Sequence, residues 1–331
     1  MNPSLILYPL SFSSSGRSAL AQALEIARWY EAEVHLLQVR GRRTALTPVA
    51  TPLAEAHVEP RLAQLLESVN PGGTRISVVE LAGDPVAAVS DYANRTAADL
   101  IVAAKHGRPY GAYWRPGAYA TDLARTVSCP ILAVPETQRT GSEIKVPFVE
   151  ILVPMDFSMA SEAAMHHALV LAQQSAGRIT LLHVLEGYPY ETVYSGARAM
   201  RLIEDYDARV AKTSRALRRR VPPDAYNWCE VETTVVSGVP HRSILATAAE
   251  IEADLIVMGL PDRGAIDRVV MGSTTMPVLR RANCPVLLVP ANRSEQRAMV
   301  DERSPGLSDE PYSGFVMSAG ASTRIAEGAR A

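Results

Sequence analysis

The sequence contains few cysteines and no long apolar segment. Its 331 residues include three cysteines, none of them in a C-x-x-C pair, so neither a disulfide framework nor a zinc site is indicated. The longest apolar runs, "DLIVAA" and "CPVLLVP", are too short to cross a bilayer. The N-terminal residues lack the basic start and apolar stretch of a signal peptide. We therefore expect a protein of the reducing cytoplasm.

An excess of charge of one sign is also missing. The chain is 47% hydrophobic and 21% charged, and its formal net charge is −2. This balance is typical of a globular protein and gives no electrostatic reason to expect nucleic acid or a membrane as a partner. Neither a P-loop nor a G-x-G-x-x-G motif is present.

The sequence does contain an internal duplication. "ILYPLSFS" matches "ILVPMDFS", which aligns Pro9 with Pro154 at an offset of 145 residues. "ADLIVAA" matches "ADLIVMG", which aligns Asp99 with Asp254 at an offset of 155. The second copy therefore carries ten extra residues after its second predicted strand. A repeat of this length indicates two copies of one domain rather than a solenoid.

The duplication predicts the domain boundaries. We expect a first lobe at residues 1–137, a linker, and a second lobe at residues 148–290. Residues 291–331 are polar, aperiodic and interrupted by glycine, serine and proline, so we expect a disordered tail.

Each lobe alternates short apolar runs with amphipathic stretches. Runs of four to six apolar residues suit strands that are covered on both faces of a parallel sheet. Amphipathic stretches such as "SEAAMHHALVLAQQSAG" predict the intervening helices. The alternation predicts an α/β protein with two tandem doubly wound parallel five-stranded sheets. The predicted strands are Leu5–Pro9, Glu33–Val39, Arg75–Leu81, Leu100–Ala104 and Ile131–Val134, then Ile151–Pro154, Arg178–Val184, Glu230–Val236, Leu255–Gly259 and Val286–Val289.

The lobes differ most after their second strands. The second lobe has a long predicted helix at about Arg198–Arg220 that ends in "RALRRR", where positive charge complements the helix dipole. The first lobe has a shorter predicted helix near Leu53–Val69.

Three segments of the second lobe reach one edge of its predicted sheet. In an open α/β sheet the ligand lies beyond the carboxyl ends of the strands. Asp156 follows the first strand of this lobe and Val184 ends its second strand. At the end of the fourth strand, Gly259 gives the backbone the freedom to turn closely, and Gly272-Ser273-Thr274 then opens the next helix. Backbone amides at a helix start, beside a glycine and a hydroxyl, suit phosphate. The pattern favours a nucleotide-like ligand, with its heterocyclic base near Asp156 and Val184 and its phosphates at Gly272-Ser273.

These segments resemble the universal stress protein A family, in a tandem arrangement that covers residues 1 to about 290. The motifs that carry the resemblance are "ILVPMDFS", "LLHV", "SGVPHRSIL…ADLIVMG", "RGAIDRVVMGS" and "NCPVLLVP". The resemblance implies an adenine-nucleotide alpha-hydrolase-like fold and a role in stress response. It also implies that Ile131–Val134 and Val286–Val289 pair antiparallel across a pseudo-twofold axis, which makes one chain a built-in dimer. Whether whole chains form a homodimer is left open.

Members of that family that bind ATP have G-x2-G-x9-G-[ST] after strand four and an aspartate after strand one that addresses adenine. Here Asp156 matches the aspartate, Gly259 the first glycine, and Gly272-Ser273 the final pair. The resemblance implies ATP or another adenine nucleotide as ligand, with or without magnesium, and an unidentified protein partner. No catalytic residue or metal ligand is indicated. The candidate nucleotide-binding residues are Pro154, Asp156, Val184, Met258, Gly259, Asp262, Arg263, Gly264, Gly272, Ser273 and Thr274.

Asp262 replaces the second glycine of the motif, although Gly264 lies two residues further on. Next to a polyphosphate its carboxylate would repel by ~1 kcal/mol at an effective dielectric constant near twenty. Facing the ribose instead, it could accept hydroxyl hydrogen bonds. AMP or an unphosphorylated adenine ligand therefore stays open beside ATP.

The first lobe has lost parts of the same pattern. Ser11 stands in place of the aspartate, Ala104 in place of the first glycine, and Ala118 in place of the serine or threonine, while Gly107 and Gly117 remain. We expect a degenerate site. The loop that contains His106 and Arg108 and continues as "PYGAYWRPGAY" could be another ligand surface, a partner contact or a lid over that site, and we favour the lid.

Competing interpretations remain for the motifs and for the function. Gly272-Ser273 could be a simple helix cap, and Asp156 could cap the helix that begins near Ser158. We expect a stress-response regulatory protein that binds nucleotide in its second lobe. The alternative is a scaffold without a nucleotide that acts through protein contacts. An ATP-splitting enzyme is rejected, because "SFSSSG" lacks the charged partners that such chemistry needs, although slow hydrolysis stays open.

Overall fold

The structure is a computed structural model that describes residues 2–40, 50–53, 60–105, 118–136, 146–186, 197–260 and 273–290. The first lobe consists of β1 (Leu5–Pro9), α1 (Ser14–Tyr30), β2 (Glu33–Arg40), β3 (Ala50–Pro52), α2 (Pro60–Glu67), β4 (Arg75–Ala82), α3 (Pro85–Thr96), β5 (Leu100–Ala104), α4 (Ala118–Ala124) and β6 (Ile131–Val134).

The described part of the second lobe repeats this order without a counterpart of β3, with a longer second helix and an additional 3-10 helix. It consists of β7 (Glu150–Pro154), α5 (Met159–Ser175), β8 (Arg178–Leu185), α6 (Ala197–Arg220), a 3-10 helix (Pro223–Asn227), β9 (Glu230–Ser237), α7 (Pro240–Glu250), β10 (Leu255–Leu260), α8 (Thr275–Arg281) and β11 (Val286–Pro290).

The ten predicted strands are confirmed, each to within one residue at either end. The long helix of the second lobe is also confirmed, because its continuous 3.6-residue pattern is a strong local signal. The sequence did not predict β3, which is only three residues long and pairs antiparallel with the outer edge of β4. The predicted helix Leu53–Val69 is wrong at both ends within the described residues, where α2 spans only Pro60–Glu67 and Leu53 lies in a turn.

One mixed sheet joins the two lobes. The strand order is β3-β4-β2-β1-β5-β6-β11-β10-β7-β8-β9. Within each lobe the main strands are parallel, and β6 and β11 pair antiparallel with Leu132 opposite Leu287. The predicted pairing of the two last strands is therefore confirmed. Each lobe covers the exposed edge of the other, which joins the two predicted sheets into one.

Helices cover both faces of this sheet. Residues of α1, α2, α5 and α6 share one hydrophobic core with one face of the strands. Residues of α3, α4, α7 and α8 share the second core with the opposite face. Each core runs through both lobes, because the sheet between them is continuous. Neighbouring residues such as Ile131 and Leu132 point to opposite faces of β6 and so belong to different cores. The protein is thus a three-layer α/β/α sandwich.

The described helices include none that is both long enough and apolar enough to span a membrane.

Candidate functional site

The carboxyl ends of three neighbouring strands form one edge of the second lobe. In the sheet β7 lies between β10 and β8, so the segments that follow Pro154, Val184 and Gly259 come together. Pro154 is half-buried at the end of β7, and Val184 is half-buried one residue before the end of β8. Met258 is buried in β10 and packs in the core shared with α7 and α8. The topology therefore brings together the base-side residues that the sequence predicted.

Asp156 is exposed at this edge, two residues after β7. Its Oδ1 accepts hydrogen bonds from the Ser158 backbone amide at 3.0 Å and from the Ser158 hydroxyl at 2.5 Å. Ser158 is itself the N-cap of α5, since its hydroxyl accepts from the Ser161 amide at 3.2 Å. Asp156 thus supports the capping residue rather than being the N-cap itself.

The environment of Asp156 keeps its carboxyl group charged. Partial burial raises the pKa of this carboxyl group, but the hydrogen bonds from Ser158 and Ser161 together lower it by more than burial raises it. The pKa of Asp156 therefore lies below its usual value. An exposed carboxylate that is ionised at neutral pH can accept a hydrogen bond from an incoming donor such as an amino group.

Gly259 lies inside β10 rather than in a turn after it, which corrects the sequence interpretation. It pairs with Val289 of β11, and the strand continues to Leu260. A Cβ atom on Gly259 would lie 1.9 Å from the carbonyl oxygen of Ala160 in the first turn of α5. Glycine is therefore needed at this position for β10 and α5 to approach each other, whether or not a ligand binds.

The phosphate side of the predicted site is described only in part. Asp262, Arg263, Gly264 and Gly272 lie outside the described residues. Ser273 is exposed in a turn, and Thr274 occupies the N-cap position of α8. The Thr274 side chain makes no capping hydrogen bond, so its hydroxyl does not occupy the amides of the first turn of α8.

A stacked cluster lies beside Asp156 that the sequence did not predict. The Phe157 ring lies 4.9 Å from the His183 ring, centroid to centroid. The Arg220 guanidinium lies over the same Phe157 ring, 5.7 Å from its centroid. His183 Nδ1 lies 2.7 Å from the carbonyl oxygen of Met155, and Arg220 also pairs with Glu162 of α5. Arg220, which the sequence assigned to the helix dipole, therefore ties the end of α6 to the segment that carries Asp156.

The same position in the first lobe is filled by hydroxyl groups. Ser11 is only 4% exposed, and its Oγ lies 2.9 Å from the Oγ of Ser13, the N-cap of α1. No carboxylate stands at this position. Gly107, Gly117 and the loop interpreted as a lid, apart from its last two residues at the start of α4, lie outside the described residues.

The first lobe contains a polar network that the sequence analysis also did not predict. His35 Nδ1 lies 2.9 Å from the Tyr92 hydroxyl, and His35 Nε2 lies 3.0 Å from Glu33 Oε1, which also accepts from Ser77 at 2.7 Å. Three of these side chains are buried between the sheet and α3. Burial raises the pKa of Tyr92, and the Glu33 charge raises it further. The network satisfies buried polar groups near the amino ends of β2 and β4.

Comparison with known proteins gives one family. The model of the Universal stress protein family matches residues 4–135 and 148–290. Universal stress protein MJ0531 of Methanocaldococcus jannaschii is 28% identical over 149 residues, which cover 45% of this chain and 85% of that protein. Universal stress protein MJ0577 of the same organism is 25% identical over 169 residues, covering 46% of this chain and 100% of that protein.

Solved structures support the arrangement of two lobes. The crystal structure of a universal stress protein from Archaeoglobus fulgidus DSM 4304 is similar over 88% of this chain and 100% of that chain, with a TM-score of 0.58 and 18% identity. A structure of a universal stress protein from Pseudomonas aeruginosa UCBPP-PA14 covers 87% of this chain and 93% of that chain, with a TM-score of 0.57 and 17% identity. At these identities the likeness concerns the fold alone.

Proposed function

The chain belongs to the universal stress protein family, and on that basis we propose that it is a stress-response regulator whose second lobe binds ATP or another adenine nucleotide. The nucleotide acts as a switch in this proposal. Binding changes the surface at this edge of the second lobe, and a partner protein reads that change.

The observation that carries the proposal is the position of Asp156. Its charged carboxylate is exposed where the carboxyl ends of β10, β7 and β8 meet. An α/β sheet of this type binds ligands at that edge. The exocyclic amino group of adenine is a donor that suits a carboxylate acceptor, and the half-buried Val184 and Pro154 offer apolar surface for the base.

The start of α8 supports the phosphate end of the proposal. Ser273 is exposed, and the Thr274 side chain leaves the first amides of the helix uncapped. Asp262, Arg263, Gly264 and Gly272 remain predictions from the sequence. The two alternatives for Asp262, repulsion of phosphate or contact with ribose, are separated by the variants described in the Discussion.

We propose binding rather than catalysis as the role of this site. Oδ1 of Asp156 is engaged by Ser158, and we assign no general base at this edge. Across the described ranges, no three His, Cys, Asp or Glu side chains converge as a metal site. Magnesium in this proposal arrives with the nucleotide phosphates, as is common for this ion. We also propose the cytoplasm as the compartment, because all three cysteines are free thiols.

A scaffold without a nucleotide is the second candidate function. The contact between Gly259 and Ala160 favours it, since packing alone accounts for this glycine of the motif. In this alternative the site is vestigial in both lobes, and function lies in the protein contacts of the tandem body.

Mass spectrometry of the small molecules that co-purify with the full chain tests the proposal most directly. We expect an adenine nucleotide, and we expect added ATP with magnesium to raise the melting temperature of the protein after that nucleotide is removed. No co-purified nucleotide together with no thermal shift at millimolar ATP would leave the scaffold as the function. Release of ADP during the incubation would reveal slow hydrolysis and contradict the assignment as a binding protein only.

A further inference from the structure

A buried lysine of the first lobe reaches into the second lobe. Lys105 follows β5 directly and is 4% exposed. Its Nζ donates a hydrogen bond to the carbonyl oxygen of Ala282 at 2.5 Å. Ala282 is the C-cap residue directly after α8, and its backbone there is extended, with φ −59° and ψ 136°. The ammonium of one lobe therefore binds the residue at which a helix of the other lobe ends.

This contact places a charged group where burial disfavours it. Desolvation lowers the pKa of Lys105 to about 8, and the nearby Cys284 acts in the opposite direction. Among the described residues no carboxylate forms an ion pair with this lysine, which has a neutral carbonyl as its partner. Desolvation of a buried ammonium offsets part of the free energy of its hydrogen bond, which leaves the geometry that the contact imposes as the effect to test.

The duplication supplies an internal comparison for this contact. The end of α4, which corresponds to the end of α8, is tied to α3 of its own lobe. In the turn after α4, Asn94 donates from Nδ2 to the Thr126 carbonyl oxygen at 3.2 Å, and the hydroxyls of Ser90 and Thr126 also form a hydrogen bond. Thr126 lies one residue before Val127, the counterpart of Ala282 at the offset of 155. At the positions of Asn94 and Ser90, α7 carries Ala249 and Leu245 instead.

Hydrocarbon side chains cannot provide this polar tie for α8. The position of Lys105 in the second lobe is occupied by Leu260, so α4 receives no matching lysine from across the axis. Lys105 thus supplies, one residue further on, a polar tie at the end of α8, whereas the end of α4 has such a tie from within its own lobe.

Hydrogen bonds connect the capped end of α8 to its first turn. The amide of Ala282 donates to the carbonyl oxygen of Val278 at 2.8 Å, and the amide of Val278 donates to that of Thr274 at 3.2 Å. Since α8 has only seven residues, these two hydrogen bonds link Ala282 to Thr274 at the other end of the helix.

We propose that Lys105 is a positioning residue that fixes α8 from across the lobe interface, and thereby holds Ser273 and Thr274 in place for the phosphate end of the nucleotide. The first half of this proposal concerns the protein without ligand. The second half rests on the proposed function.

Hydrogen exchange of the full chain without nucleotide tests the first half. Replacing Lys105→Met keeps a long unbranched side chain and removes the donor. We expect the amides of Val278 and Ala282 to exchange about tenfold faster, in line with the loss of a hydrogen bond to a charged group. The amides at the end of α4 should keep their exchange rates. The matched control is Leu260→Met, at the corresponding position of the second lobe, which should leave α8 unchanged.

Two results would overturn this half. One is exchange in α8 that Lys105→Met does not accelerate. The other is acceleration in α4 and α8 alike with a lower global free energy of unfolding, because the lysine then acts only through overall stability. As a rescue, Ala249→Asn in the Lys105→Met background introduces the tie that Asn94 provides to α4. We expect it to restore slow exchange in α8. If it does not, the Lys105 contact and the Asn94-type contact do not serve the same purpose.

Titration calorimetry with ATP and magnesium tests the second half. We expect Lys105→Met to weaken binding about tenfold and Lys105→Met with Ala249→Asn to recover it. Equal affinity of wild type and Lys105→Met contradicts the link between α8 and the ligand. If the wild type binds no ATP, the proposed function fails, and with it the second half. The exchange experiment still decides the first half in that case.

Discussion

The carbonyl oxygen of Ala160 lies 1.9 Å from the position that a Cβ atom on Gly259 would occupy. Backbone meets backbone here, because β10 and the first turn of α5 approach each other without an intervening side chain. The contact connects the strand that leads into the phosphate segment with the helix that follows Asp156. Both sides of the candidate site therefore depend on this one approach.

We expect Gly259→Ala to lower the free energy of unfolding by about 3 kcal/mol, since overpacking of a core against backbone requires a shift of whole elements. Denaturation by urea measures the change. Gly73→Ala is the matched control, because a Cβ atom there meets nothing within 4 Å. A Gly259→Ala protein as stable as the control variant would show that the approach is not required.

Asp156→Asn should weaken adenine-nucleotide binding by about tenfold or more, because a hydrogen bond to a charged acceptor is replaced by one to a neutral amide. Asp156→Ala should weaken it at least as much. Titration calorimetry gives the affinity. Ser11→Ala, at the corresponding position of the first lobe, is the control, and we expect it to bind as the wild type does. If Ser11→Ala lowered the affinity as much as Asp156→Asn does, that result would contradict a binding site confined to the second lobe.

Two substitutions test the phosphate segment, and both positions remain predictions from the sequence. We expect Asp262→Gly to raise the affinity for ATP by relieving repulsion, and Gly272→Asp to lower it by adding a negative charge. Comparison of ATP with adenosine separates the causes, because phosphate repulsion affects only ATP. Weaker binding of both ligands to Asp262→Gly would support the contact with ribose instead.

The dependence of stability on pH should reveal Lys105. Its pKa is lowered from 10.5 to about 8 in the folded protein, so the unfolded chain binds more protons between these values. The unfolding free energy contributed by this group therefore rises as pH increases from about 8 toward 10.5.

The thiols act in the opposite direction, since burial raises the pKa of Cys284 and of Cys129 to about 12. The measurement is accordingly a difference. Urea denaturation of wild type and Lys105→Met across pH 7 to about 10 should show that the wild type gains stability relative to the variant. A constant difference would mean that Lys105 titrates at the same pH in the folded and unfolded states.

Leu287→Lys should loosen the two lobes. Leu287 is 3% exposed and lies opposite Leu132 in the pairing of β11 with β6. A lysine there buries an unpaired charge, so we expect a loss of about 3 kcal/mol or more. Thermal unfolding and the radius of gyration from X-ray scattering measure the effect. Val170→Lys, on the exposed face of α5, is the control. An unchanged melting temperature for Leu287→Lys would contradict the importance of this pairing.

The sequence by itself determined the elements of this fold and their duplication. Apolar runs predicted ten strands, because burial on both faces leaves no polar alternation within them. The constant offsets between the lobes also identified Asp156 and Ser11 as equivalent positions. β3 was not predicted, because three residues at the edge of a sheet give no periodic pattern.

Only the tertiary structure decided which residues meet across long separations. Lys105 and Ala282 are 177 positions apart in the chain, and neither lies in a recognisable motif. Gly259 was predicted for its backbone freedom, whereas its contact with Ala160 shows that close packing requires it. Local patterns record which face of an element is buried. The partner at a given contact depends on how strands are ordered and how helices are placed on the sheet, and that is a property of the whole fold.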